Sequence, residues 1–86
     1  MAASQCPCCD YFSLSRRGEY DICRVCFWED CGQDFDRLGE HSGPNHMTLR
    51  EARNNFSEFG ACDRKMLKNV ISVEKRAAYG HQRRDV

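Results

Sequence analysis

Four of the seven cysteines stand in two C-x-x-C pairs, Cys6 with Cys9 and Cys23 with Cys26. The pairs are separated by 13 residues, a length that a short hairpin can span. Each C-x-x-C turn can direct both sulfurs to one point about 2.3 Å away, so two facing turns form a tetrahedral thiolate site. Zinc accepts this geometry because it has no d-electron preference, and iron is the other metal that such sites suit. We therefore predict one structural zinc ion, which shapes the fold and performs no catalysis.

The other cysteines and the histidines give weaker metal patterns. Cys8 lies two positions after Cys6 and is expected to project away from the four-thiolate site, although its pairing with Asp10 or another donor stays open. A second site would have to combine two cysteines and two histidines: Cys31, Cys62, His41 and His46. Their spacings are wide and irregular, and buried free cysteine is common, so we expect no second metal there.

Catalytic interpretations of the same residues are less favoured. A redox C-x-x-C usually opens a helix after a strand in a thioredoxin-like fold, but this chain is short and shows no helical pattern after Cys9. A hydrolytic zinc keeps an open coordination position, whereas four thiolates close the site. The acids between residues 30 and 40 lack the spacing of a calcium-binding EF-hand loop. We expect no enzymatic activity.

Length and composition explain why a metal would be needed. The chain has 86 residues, of which 41% are hydrophobic, so it forms one domain whose core alone is marginal. Its first residues show no basic region and no apolar run, so we expect no signal peptide, no membrane span and a cytoplasmic protein. In reducing conditions clustered cysteines more often bind metal than form disulfides, and the odd cysteine count agrees.

The elements that must position the cysteines are predicted as a hairpin followed by helices. Residues 1–5 are a loose leader, and strands at 11–14 and 19–22 flank a turn at residues 16–18. Phe27 and Trp28 directly follow the second cysteine turn, where they can exclude water from a metal. Residues 29–45 form a polar loop with several glycines.

The clearest helix begins at Thr48. Thr48 and Glu51 form a capping box, and Gly60 can end the helix in a left-handed conformation. A second helix starts at Asp63, which is a suitable N-cap. Beyond Glu74 the apolar periodicity is lost, so we expect a frayed end.

The fold class we predict is small α+β, a zinc-ribbon-like β-hairpin with one or two packed helices. Residues 1–74 form a single zinc-stapled domain, and residues 75–86 form a basic flexible tail. The predicted core contains ten apolar side chains: Phe12, Leu14, Tyr20, Ile22, Phe27, Trp28, Leu49, Ala52, Phe56 and Phe59.

The charge distribution indicates the class of function. Residues 1–63 carry six basic and eleven acidic side chains, a net −5, whereas residues 64–86 carry seven and two, a net +5. A metal-stapled acidic body without a catalytic set favours a protein-interaction module with a protein partner, a class that immunity and antitoxin-type proteins fit. The alternative is nucleic-acid binding through Arg16, Arg17 and the basic tail, with Tyr79 available for stacking. A thiol-disulfide redox role is the third possibility.

Several motifs together resemble a known family. Four motifs occur in the same order as in the cysteine-rich CPCC family of short bacterial proteins, which the chain therefore resembles. They are Cys6-Pro7-Cys8-Cys9, the run from Tyr20 to Asp30, the turn Ser42-Gly43-Pro44-Asn45, and the helix with Phe59-Gly60-Ala61-Cys62. The resemblance covers about residues 6–63. It implies a small cytoplasmic metal-binding domain and no particular activity. The family commonly has glycine where this chain has Asp10, and Cys31 and the tail after Arg64 lie outside its pattern.

Overall fold

The computed structural model describes residues 3–85 and contains two small antiparallel sheets and one main helix. The four strands are β1 (Ser4–Gln5), β2 (Phe12–Leu14), β3 (His41–Ser42) and β4 (Met47–Thr48), with β1 paired to β2 and β3 to β4. The helix is α1 (Leu49–Phe59), and three 3-10 helices span Phe35–Arg37, Arg64–Asn69 and Glu74–Ala78. The predicted small α+β class is confirmed.

The first hairpin surrounds the first cysteine pair. β1 and β2 are antiparallel, with Ser4 opposite Leu14, and the Cys6–Cys9 segment forms the turn between them. The strand predicted at residues 11–14 is confirmed as β2. Its partner is β1, however, so the leader assignment of residues 4 and 5 was wrong, while residues 1 and 2 lie outside the described part.

The strand predicted at residues 19–22 does not form in the described chain. Tyr20 has a φ of 62°, a left-handed conformation that interrupts an extended run. Ile22 makes only a single bridge with Glu29. The side chains of Tyr20 and Ile22 are 59% and 41% exposed, so their assignment to the core was wrong. The segment still pairs with residues 29 and 30 through backbone hydrogen bonds, from the Tyr20 N–H to Asp30 O at 2.8 Å and from the Asp30 N–H to Asp21 O at 3.0 Å, but the left-handed Tyr20 keeps it from forming a regular strand.

A buried carboxylate holds the turn at residues 16–18. Asp30 is fully buried, and its Oδ2 accepts hydrogen bonds from Arg17 Nε at 2.8 Å and from the Gly18 backbone N–H at 2.8 Å. Arg17 also donates to Asp34 Oδ2 at 2.9 Å. These hydrogen bonds satisfy the buried carboxylate of Asp30 and fix the turn that precedes Tyr20.

The helix α1 follows the sequence prediction at both ends. Thr48 Oγ1 accepts from the Glu51 N–H at 3.1 Å while Glu51 Oε1 accepts from the Thr48 N–H at 2.9 Å, which is the predicted capping box. Gly60 ends the helix with a φ of 91°. Leu49 and Ala52 on the inner face are fully buried.

The residues after α1 fold back over both cysteine turns. Asp63 caps the next segment as predicted, but the segment is a 3-10 helix. Its end lies against the second cysteine turn, where the Ile71 N–H donates to Arg24 O at 3.1 Å. Residues 79–85, called the C-terminal segment below, lie along the first hairpin, where the Phe12 N–H donates to Gly80 O at 2.8 Å. The boundary at residue 74 and the flexibility of the tail stay predictions.

The core lies between the cysteine turns and α1. Of the predicted apolar side chains, four are fully buried, namely Leu14, Trp28, Leu49 and Ala52, and four are half-buried, namely Phe12, Phe27, Phe56 and Phe59. Val25 joins them with no exposed surface. None of the helices within residues 3–85 has the length and apolar run that a bilayer crossing requires.

Candidate metal centre

The two cysteine pairs lie in turns of the same form. We define the first cysteine turn as residues 6–11 and the second as residues 23–28. In the first, the Cys6 N–H donates to Tyr11 O at 2.8 Å, and in the second, the Cys23 N–H donates to Trp28 O at 2.9 Å. The residue after each second cysteine is left-handed, with a φ of 68° at Asp10 and 70° at Phe27. Each turn is therefore a rigid frame that presents two sulfurs from one side.

The two turns face each other and bring together all four cysteines predicted as ligands. The four Sγ atoms lie within 4.8 Å of one another, and the closest pairs are Cys6 with Cys26 at 3.6 Å and Cys9 with Cys23 at 3.7 Å. These separations exceed a disulfide bond of about 2.05 Å. A tetrahedron with metal–sulfur bonds of about 2.3 Å has edges of about 3.8 Å. The spacing thus fits one ion at the centre of four sulfurs.

The centre is sealed from solvent. Cys6, Cys23 and Cys26 have no exposed surface, and Cys9 is 4% exposed. Trp28, fully buried, directly follows the second pair, in agreement with the role expected for the neighbouring aromatic residues. A ligand set of four buried cysteines leaves no position for water or substrate, which is the arrangement of structural sites.

The surroundings shift the pKa of the four clustered thiols in different directions. Burial raises the pKa of the Cys6, Cys9 and Cys26 thiols because a thiolate loses its hydration in the interior. The pKa of Cys23 is lowered instead, because hydrogen bonds from the other three thiols and from the hydroxyl of Ser13 stabilise its thiolate. Ser13 Oγ lies 2.9 Å from Cys23 Sγ. A bound metal ion would supply the positive charge that keeps all four sulfurs ionised in this buried position.

The remaining cysteines lie outside this cluster. Within residues 3–85, these four cysteines are the only group of three or more potential ligands that the fold brings together. Cys8 and Cys62 are each 2% exposed and contribute to the core, and burial raises the pKa of Cys62 to about 12. Cys31 is half-buried, with Sγ 3.9 Å from Ser42 Oγ. His41 and His46 are exposed.

Asp10 is not a partner of Cys8, because two arginines occupy its carboxylate. Arg53 binds both oxygens, with Nη1–Oδ1 at 2.8 Å and Nη2–Oδ2 at 3.1 Å. Arg84 Nε donates to Oδ1 at 3.1 Å, and the Arg84 backbone N–H donates to Oδ2 at 2.9 Å. Burial acts to raise the pKa of Asp10, but these bonds outweigh it and hold the pKa below its ordinary value.

The same two arginines also support the metal-binding turn directly. Arg53 Nη1 donates to Pro7 O at 2.6 Å, and Arg84 Nη2 donates to Cys6 O at 3.2 Å. On the other side, the Cys62 N–H donates to Cys26 O at 2.8 Å. Sequence reasoning missed these supports because their partners lie 36 to 78 residues apart in the chain and share no local motif.

Comparison with known proteins gives one result. The family model described as Cysteine-rich CPCC matches residues 4–77, a span that contains both cysteine turns and α1 and ends before the C-terminal segment. No curated protein and no solved structure matches the chain significantly.

Proposed function

The chain belongs to the cysteine-rich CPCC family, and we propose that it is a small structural-zinc protein whose metal-stapled body serves as a protein-interaction module. The observation that carries the metal assignment is the set of four buried sulfurs within 4.8 Å of one another. A zinc ion bound there supplies a cross-link between two segments that are distant in sequence. The chain's own residues hold the turns in place and exclude water.

Metal analysis tests the identity of the ion. We expect about one zinc per chain in protein purified without added metal, and iron is measured in parallel because four thiolates also suit it. Cobalt substitution should give the visible absorption of a tetrahedral thiolate complex. Stoichiometric iron in place of zinc would contradict the proposal.

Replacement of one ligand tests the structural role. Zinc binding in four-ligand sites supplies apparent energies on the order of 10–16 kcal/mol, so we expect Cys23→Ser to abolish cooperative thermal unfolding as followed by circular dichroism. Cys31→Ser is the control, because Cys31 is half-buried and outside the cluster, and it should leave the transition nearly unchanged. A cooperative transition in metal-free wild-type protein would show that the fold does not need the ion.

The interaction role is supported by the closed site. Four thiolates leave no open coordination position, so we propose no catalytic activity and no thiol-disulfide exchange. Nucleic-acid binding is the second candidate. Two of the basic residues that it would use are already in ion pairs, Arg17 with Asp30 and Arg84 with Asp10. Co-purification of a stoichiometric protein partner from the native source, lost in Cys23→Ser, is the test. An immunity or antitoxin-type role is one member of this class.

A further inference from the structure

A groove of about 560 Å³ lies between α1 and the C-terminal segment, next to the candidate metal centre. Arg50 and Arg53 line it from the helix, and Arg83 and Arg84 line it from the C-terminal segment. The first cysteine turn borders it through Cys8, Cys9 and Asp10, of which Cys9 also belongs to the four-sulfur cluster. The groove therefore exists only where the chain's end lies against the helix.

The groove is basic although the first 63 residues are acidic. Its charged side chains are four arginines and two aspartates: Arg50, Arg53, Arg83, Arg84, Asp10 and Asp85. They leave an excess of two positive charges (four minus two) if His81 is counted as neutral. The side chains of Arg53 and Arg84 share the single carboxylate of Asp10 and remain 15% and 27% exposed.

Two of the arginines are free to meet a ligand. Arg50 is exposed and forms no ion pair with any residue in the range 3–85. Among the described residues, Arg83 pairs only with Asp85, at 3.2 Å, and the two side chains are 83% and 87% exposed. Such a surface pair contributes little, so an incoming carboxylate can replace it at small cost. Asn54 and Ser57 add hydrogen-bonding groups along the same wall.

We propose that this groove binds the carboxylate side chains of an acidic polypeptide segment, an inference that rests on the interaction role and names the chemistry of the partner. Guanidinium groups match carboxylates in planar two-point contacts, and Arg53 already makes such a contact with Asp10 inside the groove. Nucleic acid fits less well. The groove's two aspartates repel phosphates and carboxylates alike, so the difference lies in stacking: the rings in the lining are half-buried Phe56 and exposed His81, which already lies against Tyr11.

Paired charge reversals test the groove in the full-length, zinc-loaded protein. Arg50→Glu with Arg83→Glu removes the two available charges, neither of which supports the cysteine turns. Arg16→Glu with Lys68→Glu is the matched control, because it makes the same charge change at exposed sites outside the groove and also breaks one weak surface pair, Arg16 with Glu19 at 3.7 Å. Zinc content and circular dichroism establish that both variants stay folded.

Two fluorescein-labelled probes are used, hexaglutamate and an oligothymidine. Each is titrated separately with protein, and binding is followed by fluorescence anisotropy. We expect the wild type to bind hexaglutamate more tightly than oligothymidine. The affinity for hexaglutamate should fall at least about tenfold in the groove variant and stay unchanged in the control variant. An equal loss in both variants, no loss in either, or preferred binding of oligothymidine would overturn the proposal.

A pull-down separates this proposal from the interaction role. A partner recovered equally by wild type and groove variant would leave the interaction role standing and overturn the groove as its site. If the wild type recovers no partner, the interaction role fails, while the hexaglutamate titration still decides the chemistry of the groove.

Discussion

Asp10 combines two features whose energies oppose each other. Its φ of 68° is a conformation that costs a non-glycine residue on the order of 1–2 kcal/mol. Its carboxylate, 5% exposed, receives hydrogen bonds from Arg53 and Arg84. A glycine at this position would relax the backbone but leave both guanidinium groups without this carboxylate as acceptor. The aspartate therefore connects the metal-binding turn to the helix and to the chain's end.

Cysteine reactivity is a property of single residues, and the structure predicts a clear order. In zinc-loaded protein at pH 8 we expect iodoacetamide to modify Cys31 rapidly and the other six cysteines slowly. Cys62 is 2% exposed, and with a pKa of about 12 only about one part in ten thousand is thiolate at that pH. Peptide mapping by mass spectrometry measures the sites. Labelling in guanidinium with a chelator should modify all seven cysteines, and rapid native labelling of Cys62 would contradict its burial.

At the scale of elements, two dissimilar sequences form the same turn. The first contains Pro7 and is enclosed by the β1–β2 hairpin. The second is flanked by the Ile22–Glu29 bridge and by backbone hydrogen bonds from the Tyr20 N–H to Asp30 O at 2.8 Å and from the Asp30 N–H to Asp21 O at 3.0 Å. Asn45 strengthens that bridge, since its side-chain amide accepts from the Glu29 N–H and donates to Glu29 O, both at 2.8 Å. The second turn has no regular strand pair beside it, and the Asn45 side chain from the loop adds two hydrogen bonds there.

The end of α1 gives a prediction at this scale. We expect Gly60→Ala to lower the free energy of unfolding by about 1–2 kcal/mol, because alanine is strained at a φ of 91° and its Cβ would lie 3.0 Å from Arg76 Nη2. Gly39→Ala is the matched control, since nothing lies within 4 Å of the added Cβ. Denaturant unfolding at a fixed zinc concentration measures both. Equal effects of the two substitutions would show that the left-handed helix end is not needed.

For the whole molecule, the acidic and basic parts of the chain meet at the first cysteine turn. The Gln82 N–H donates to Asp10 O at 3.3 Å, and the Tyr11 and His81 rings lie 4.4 Å apart. These contacts join residues about seventy positions apart across the hairpin. The end of the chain thereby stabilises the segment that carries half of the metal ligands.

A double-mutant cycle tests whether this docking persists in solution. We expect Asp10→Asn and Arg84→Ala to be coupled by about 1–3 kcal/mol in zinc-loaded protein, because each removes the other's partner. Denaturant unfolding of the four proteins measures the coupling. The control cycle pairs Asp10→Asn with Arg83→Ala, whose side chain contacts Asp85 instead, and should give a value near zero. A flexible tail would give no coupling in either cycle.

The parts that could be predicted from sequence are those that depend on neighbouring residues. The capping box at Thr48, the left-handed Gly60 and the two C-x-x-C turns each follow from contacts within a few positions. The pairing of β1 with β2 could not be predicted, because a two-residue strand carries no periodicity. Nor could the exposure of Tyr20, since it follows from the way distant Asp30 holds the turn before it. The contacts of Arg84 depend on the complete fold and have no local pattern.

The burial of the four sulfurs predicts how a chelator would remove a bound ion. A chelator in solution cannot approach an ion behind cysteines that are 0–4% exposed until part of the fold opens. We therefore expect the rate of zinc transfer to a chromogenic chelator to become independent of chelator concentration and to equal the rate of that opening. A rate that keeps rising in proportion to chelator would mean that the ion is reached through the native state. The lifetime of a bound ion would then depend on how often the surrounding protein opens, and not on the affinity of a competing chelator for zinc.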